Sequence, residues 1–124
     1  MANKLLVVED DEFLSDMYRE LLTDEGYDVD IARDGADGYS KASKGGYDLI
    51  LLDIMLPKMD GLQILKNLQE EKVQNGPVVL LTNLGQDSIV KDGLKSGAAG
   101  YLIKSSMTPD QVLHEVRVFL NRGK

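Results

Sequence analysis

Glu9, Asp10, Asp11 and Glu12 form an unbroken acidic run directly after the apolar segment Lys4–Val8. Asp53 follows the apolar residues Leu49–Leu52, Thr82 follows Val78–Leu81, and Lys104 follows Gly100–Ile103, three residues after Tyr101. If these apolar segments lie side by side, acids, a hydroxyl and an ammonium converge at one end of them. Carboxylates brought that close repel, which raises a pKa or demands a cation. A hard cation such as Mg²⁺ resolves the conflict with one or two carboxylates, a carbonyl and water. The chain has no cysteine and a single histidine, His114, so oxygen ligands are the realistic set. Cys-ligated zinc or iron–sulfur sites, a thiol nucleophile and a His-rich metal site are excluded.

Taken singly, these residues have plainer readings. Asp10 or Asp11 serves as the N-cap of a following helix, Asp53 as a turn former, and Lys104 as a counter-ion. Tyr101, inside an apolar run, reads as a core aromatic, and Thr82 as the last residue of its segment. His114 reads as a solvated surface group. Met17, Met55 and Met59 read as core filler or loop packing. The chemistry rests on the constellation, because capping explains one acid and leaves the others crowded together.

The apolar segments themselves are short, bounded by turn formers and rich in branched residues, which predicts strands. Three of them lack alternation (LLVV, LILL and VVLL), as expected for parallel strands covered on both faces. Asp28–Ala32 alternates polar and apolar residues and reads as an edge strand. Helical patterns lie between the strands. Phe13, Met17 and Leu21, with Leu14 beside them, form one stripe ended by Gly26. Ile64, Leu65 and Leu68 form a second, and Ile89, Val90 and Leu94, interrupted by Gly93, a weaker third. Val112, Val116, Phe119 and Leu120 form the last, with Thr108 as N-cap and Pro109 at the first helical position. Gly35–Lys44 is the poorest helix candidate. Gly85, Gly93 and Gly97 mark the fourth helix as marginal, since glycine costs ~1 kcal/mol against alanine there.

Strand–helix repeated five times predicts an α/β doubly wound parallel sheet with right-handed crossovers. Such sheets bind ligands beyond the carboxyl ends of their strands, where the winding reverses. A turn rich in acid at that place repels a bare phosphate, so a flavodoxin-type or dinucleotide-type phosphate cradle is disfavoured. The length of 124 residues suits one domain. Fourteen Lys+Arg against 21 Asp+Glu leave a net charge of −7, which argues against direct binding to the nucleic-acid backbone. Neither a membrane-length apolar run nor a signal peptide is apparent, so a soluble, cytoplasmic protein is expected.

Across essentially its whole length the sequence resembles the receiver domain of two-component response regulators, of the CheY-like kind. The matching pieces are VVEDDE after the first strand, LLDIMLPKMDG around Asp53, LLTN at the fourth strand and GYLIKS at the fifth. They fall in the family's order and at its intervals. The resemblance implies a single receiver domain over residues 1–124, with a flavodoxin-like five-stranded sheet in the order 2-1-3-4-5. It implies a phosphorylation switch in which Asp53 accepts a phosphoryl group from a sensor histidine kinase or phosphotransfer protein. Glu9, Asp10, Asp53 and the backbone carbonyl of Met55 would hold Mg²⁺, Asp10 directly and Glu9 through water. Lys104 would contact the phosphoryl oxygens, Thr82 would give them its hydroxyl, and Tyr101 would change rotamer with it. The surface of the fourth helix, fifth strand and last helix would then control a downstream effector protein or domain.

Two departures from the family pattern stand out. Many receivers carry proline after the lysine in a cis bond, and here Ser105 follows Lys104; a non-proline cis bond costs about 2.5–4 kcal/mol, so the bond is trans or is forced by the fold. The residue after Thr82 is often small, and here it is Asn83. Two other functions compete. A Mg²⁺-dependent phosphohydrolase with an aspartyl-phosphate intermediate needs an acid–base Asp two residues after its nucleophile, where this chain has Met55. An adaptor that never takes phosphate would lack Asp53, Lys104 or the acidic pair, and all are present.

Overall fold

The computed structural model describes residues 2–122. Strands and helices alternate as β1 (Lys4–Val8), α1 (Glu12–Asp24), β2 (Asp28–Ala32), α2 (Gly35–Ala42), β3 (Leu49–Asp53), α3 (Gly61–Glu70), β4 (Val78–Thr82), α4 (Asp87–Lys95), β5 (Gly100–Ile103) and α5 (Pro109–Arg122). A short 3₁₀ turn, Lys104–Ser106, joins β5 to α5. All strand pairs are parallel, in the order β2-β1-β3-β4-β5. The chain therefore winds outward from β1 to β2 and then returns past β1 to β3. The reversal opens a crevice between the carboxyl ends of β1 and β3, as expected for this topology.

The unbroken apolar runs follow from burial on two sides. Successive strand residues point to opposite faces. Leu5, Val7, Leu49, Leu51, Val79 and Leu81 meet Leu22, Val112, Val116 and Phe119 of α1 and α5. Leu6, Val8, Ile50, Leu52 and Leu80 meet Ile64, Leu65, Leu68 and Val90 of α3 and α4. β2 lies at one edge of the sheet, as its alternation predicts. β5 lies at the other, which its apolar sequence did not announce.

Local capping fixes where helices begin. Asp11, Asp34 and Asp60 each accept a hydrogen bond from the amide three residues on, that of Leu14 (3.0 Å), Asp37 (2.8 Å) and Gln63 (2.9 Å). Thr108 and Gln111 form a reciprocal capping pair at the start of α5, with Pro109 as its first residue. Gly35–Ala42 is a helix despite its weak pattern, and it ends two residues before the stretch read from sequence.

The buried face of α1 differs from the predicted stripe. Ser15, Tyr18 and Leu22 are buried, Leu14, Met17 and Leu21 only partly so, and Phe13 is 78% exposed. The face is turned by about one residue, since i, i+3 and i+7 also describe Ser15, Tyr18 and Leu22. Ser15 tolerates burial because its hydroxyl donates to the carbonyl of Glu12 at 3.1 Å.

Gly93 is a packing requirement as well as a weak helix former. A Cβ at Gly93 would stand 2.3 Å from Leu80 Cδ1 and 3.3 Å from Leu62 Cδ2, and Leu80 is itself fully buried. The missing methyl lets α4 approach β4. Helix propensity alone would make Gly93→Ala stabilising by about 1 kcal/mol, whereas overpacking costs about 1–3 kcal/mol. We expect packing to win: urea denaturation of Gly93→Ala will show a lower midpoint than the parent, and a higher midpoint would refute the close-approach account.

Candidate functional site

Three strand ends build the site. Glu9 continues β1 by one residue, its amide donating to the Ala32 carbonyl at 2.9 Å, and its side chain is fully buried. Asp53 is the last residue of β3 and is 2% exposed. Lys104 leaves β5 and extends its ammonium between them, with Nζ 2.9 Å from Glu9 Oε1 and 2.9 Å from Asp53 Oδ2. The second oxygen of each acid is also held: Glu9 Oε2 accepts from the Asp11 amide and Asp53 Oδ1 from the Met55 amide, each at 3.1 Å. Asp10 completes the group from the solvent side, with carboxylate oxygens of Glu9, Asp10 and Asp53 within 4.8 Å of one another. The four consecutive acids therefore separate: Glu9 and Asp10 enter the cluster, Asp11 caps α1, and Glu12 forms an exposed ion pair with Arg33.

The backbone around Asp53 is clamped from outside. The Gly61 amide donates to the Ile54 carbonyl at 2.9 Å, and a Cβ at Gly61 would lie 2.3 Å from the Asp53 carbonyl oxygen. The start of α3 thus presses against the residue that carries the central carboxylate. The Lys104–Ser105 bond is trans, and Lys104 is itself the first residue of the 3₁₀ turn.

The Thr82 hydroxyl is not bonded to the carboxylates, although Thr82 directly follows Leu81, the β4 partner of Asp53. Thr82 is 2% exposed, and its hydroxyl donates to Gln86 Oε1 at 2.6 Å. The Asn83 amide donates to the same oxygen at 2.8 Å. Tyr101 is 47% exposed on the edge strand β5, so the reading of it as a core aromatic is corrected. It lines a cleft of about 440 Å³ together with Thr82, Leu84, Lys91 and Ile103. His114 is exposed on α5, as the sequence predicts.

The sequence matches the family described as response regulator receiver domain over residues 5–117. This chain belongs to that family. It is 42% identical over 115 residues to the transcriptional regulatory protein DltR of Streptococcus agalactiae, covering 93% of this chain and 50% of that one. It is 34% identical over 122 residues to the transcriptional regulatory protein SrrA of Staphylococcus aureus, covering 98% and 49%. The chain thus spans about half the length of these curated relatives. A CheY-like receiver domain structure from Methanospirillum hungatei JF-1 superposes with a TM-score of 0.89 at 26% identity, covering 99% of this chain and 97% of that one. No helix among the described residues is long and apolar enough to cross a membrane.

Of the residues singled out in the sequence of this receiver domain, the structure brings Glu9, Asp10, Asp53 and Lys104 together, while the contact of Gln86 with Thr82 has no counterpart in the sequence reading. The one available signal was a carboxamide four residues after a strand-end hydroxyl. Nor did it show the Met55 amide as a support for Asp53.

Burial pushes the Glu9 carboxyl up to about 7; Asp53 acts in the same direction, and the hydrogen bond from Lys104 opposes both. Burial also disfavours the Lys104 charge, but the bonds to Asp53 and Glu9 outweigh it and raise the lysine above its usual range. Between pH 4.5 and 7 the folded protein therefore retains a proton at Glu9 that the unfolded chain has released. This group's contribution to stability is full below that window and falls as pH rises through it. Urea midpoints measured across the window should fall less steeply with pH in Glu9→Gln than in the parent. Parallel slopes would rule out Glu9 as the titrating group.

Proposed function

We propose that this receiver domain is a phosphorylation-activated switch in which Asp53 is the acceptor. A carboxylate oxygen of Asp53 attacks the phosphorus held on a histidine of a sensor kinase or phosphotransfer protein. A P–O bond forms, the P–N bond breaks, and the electron pair returns to the imidazole nitrogen. The observation that carries this reading is the Lys104 ammonium bridging two buried carboxylates, 2.9 Å from each, with Asp10 beside them. Phosphoryl transfer has a loose, charge-spread transition state, so positioning and positive charge matter more than a strong base.

Three acids against one lysine leave the cluster with surplus negative charge, and its ligand atoms are all hard oxygens, a set that suits Mg²⁺. Glu9, Asp10 and Asp53, with the Met55 carbonyl, would hold the ion. Bound there, Mg²⁺ neutralises charge on the phosphoryl oxygens. Lys104 contacts the transferred group, and Thr82 turns its hydroxyl to it once the transfer is made. Tyr101 and the exposed Leu84 and Leu94 belong to the α4–β5–α5 surface that a downstream protein or output domain reads. Met55 offers no titratable group two residues after Asp53, so turnover of external phosphate esters is not expected. The net charge of −7 likewise favours a protein partner over nucleic acid for this domain, and a cytoplasmic setting suits a kinase donor.

Incubation with Mg²⁺ and acetyl phosphate, followed by intact-mass measurement, tests the assignment. One phosphoryl group should be gained by the parent, lost on chelation of the metal before mixing, and absent in Asp53→Asn. A gain that persists in Asp53→Asn would place the acceptor elsewhere.

A further inference from the structure

Gln86 stands in the cap position of α4, but its side chain makes no cap bond to that helix. It turns back across Gly85 (φ +87°) to the end of β4. There its single amide oxygen accepts from both the Thr82 hydroxyl and the Asn83 amide. Each of those donors has one proton to give. The Thr82 hydroxyl also lies 3.1 Å from the Asn83 carbonyl, but its bond to Gln86 is the shorter at 2.6 Å, and while both donors serve Gln86 neither is bonded to Asp53. Thr82 is also buried, so the Gln86 carboxamide, with the more distant Asn83 carbonyl, and not bulk water satisfies its hydroxyl.

We propose that Gln86 is a positioning residue that restrains the switch: its carboxamide oxygen holds the Thr82 and Asn83 donors, and a phosphoryl oxygen on Asp53 must displace it to recruit them. The inference rests on Asp53 being the phospho-acceptor. The exchange runs toward the phosphoryl group because hydrogen bonds to an anion are stronger than bonds to a neutral amide. Gln86 sets how far it runs. Its side chain is half-buried and α4 begins at the next residue, Asp87. Release of the carboxamide therefore frees the segment that leads into α4 and into the cleft containing Tyr101.

The test titrates beryllofluoride, a non-covalent phosphoryl mimic, with Mg²⁺ present, into the full chain and two variants. Gln86→Met keeps the length and removes the acceptor, and the apparent affinity should rise roughly three- to tenfold. Gln86→Glu keeps the acceptor and adds charge, strengthening the hold, and the affinity should fall below that of the parent. The Asn83 amide proton in the unliganded protein should move upfield in Gln86→Met, marking loss of its bond. In a Thr82→Ala background the gain from Gln86→Met should shrink. A merely structural Gln86 would weaken binding in both variants, and unchanged affinities would equally overturn the proposal. If the parent takes no phosphoryl group on Asp53 and binds no mimic, the acceptor assignment fails and this inference falls with it. A phosphorylated parent with indifferent Gln86 variants removes the restraint alone.

Discussion

The Lys104 ammonium, shared between two buried carboxylates that lie 95 and 51 residues away in sequence, is the interaction on which the rest of the site depends. Desolvating charges costs several kcal/mol per ion, recovered only with close geometry and further hydrogen bonds. Both conditions are met. Every carboxylate oxygen of Glu9 and Asp53 has a donor, two from the lysine and two from the amides of Asp11 and Met55. Three strands must end at the same height for this to happen. The registers of β1 on β3, β3 on β4 and β4 on β5 set that height, with Val8 opposite Leu52, Asp53 opposite Leu81 and Thr82 opposite Ile103.

A consequence is division of labour among neighbours. Glu9 is buried and pinned, whereas Asp10, one residue on, faces solvent at the mouth of the same cluster. Asp11 is spent on starting α1, and in doing so places its own amide against Glu9. A run that looks redundant as sequence therefore fills three different positions around one point. Charge crowding is tolerated because two of its members are satisfied from the protein side and the third remains hydrated.

Much of this was legible from residue types. Strands buried on both faces have no polar positions, so β1, β3 and β4 stand out as apolar runs, and whatever polar residue ends such a run is conspicuous. Asp53, Thr82 and Lys104 are such residues. Other features were beyond the pattern. The α1 stripe admits two faces about one residue apart, and only the position of α5 and the sheet selects Tyr18 and Leu22 over Phe13. Tyr101 reads as core because β5 is apolar, but its side chain is on the exposed face of that edge strand, whereas neighbouring Leu102 on the opposite face is buried. Gly93 reads in the sequence only as a mark of a marginal helix, and its close approach to Leu80 belongs to the packing. Gln86 acts through a tight reversal at Gly85, which no periodicity records.

The parallel winding also has an electrostatic effect that belongs to no single side chain. Each helix returns antiparallel to its strand, so α1, α3 and α4 all start on the side of the sheet where the carboxylates gather. A helix carries roughly half a positive elementary charge at its start. The backbone itself thus lays a fixed, partly positive collar around an acid-rich rim, built from peptide dipoles that neither titrate nor diffuse away.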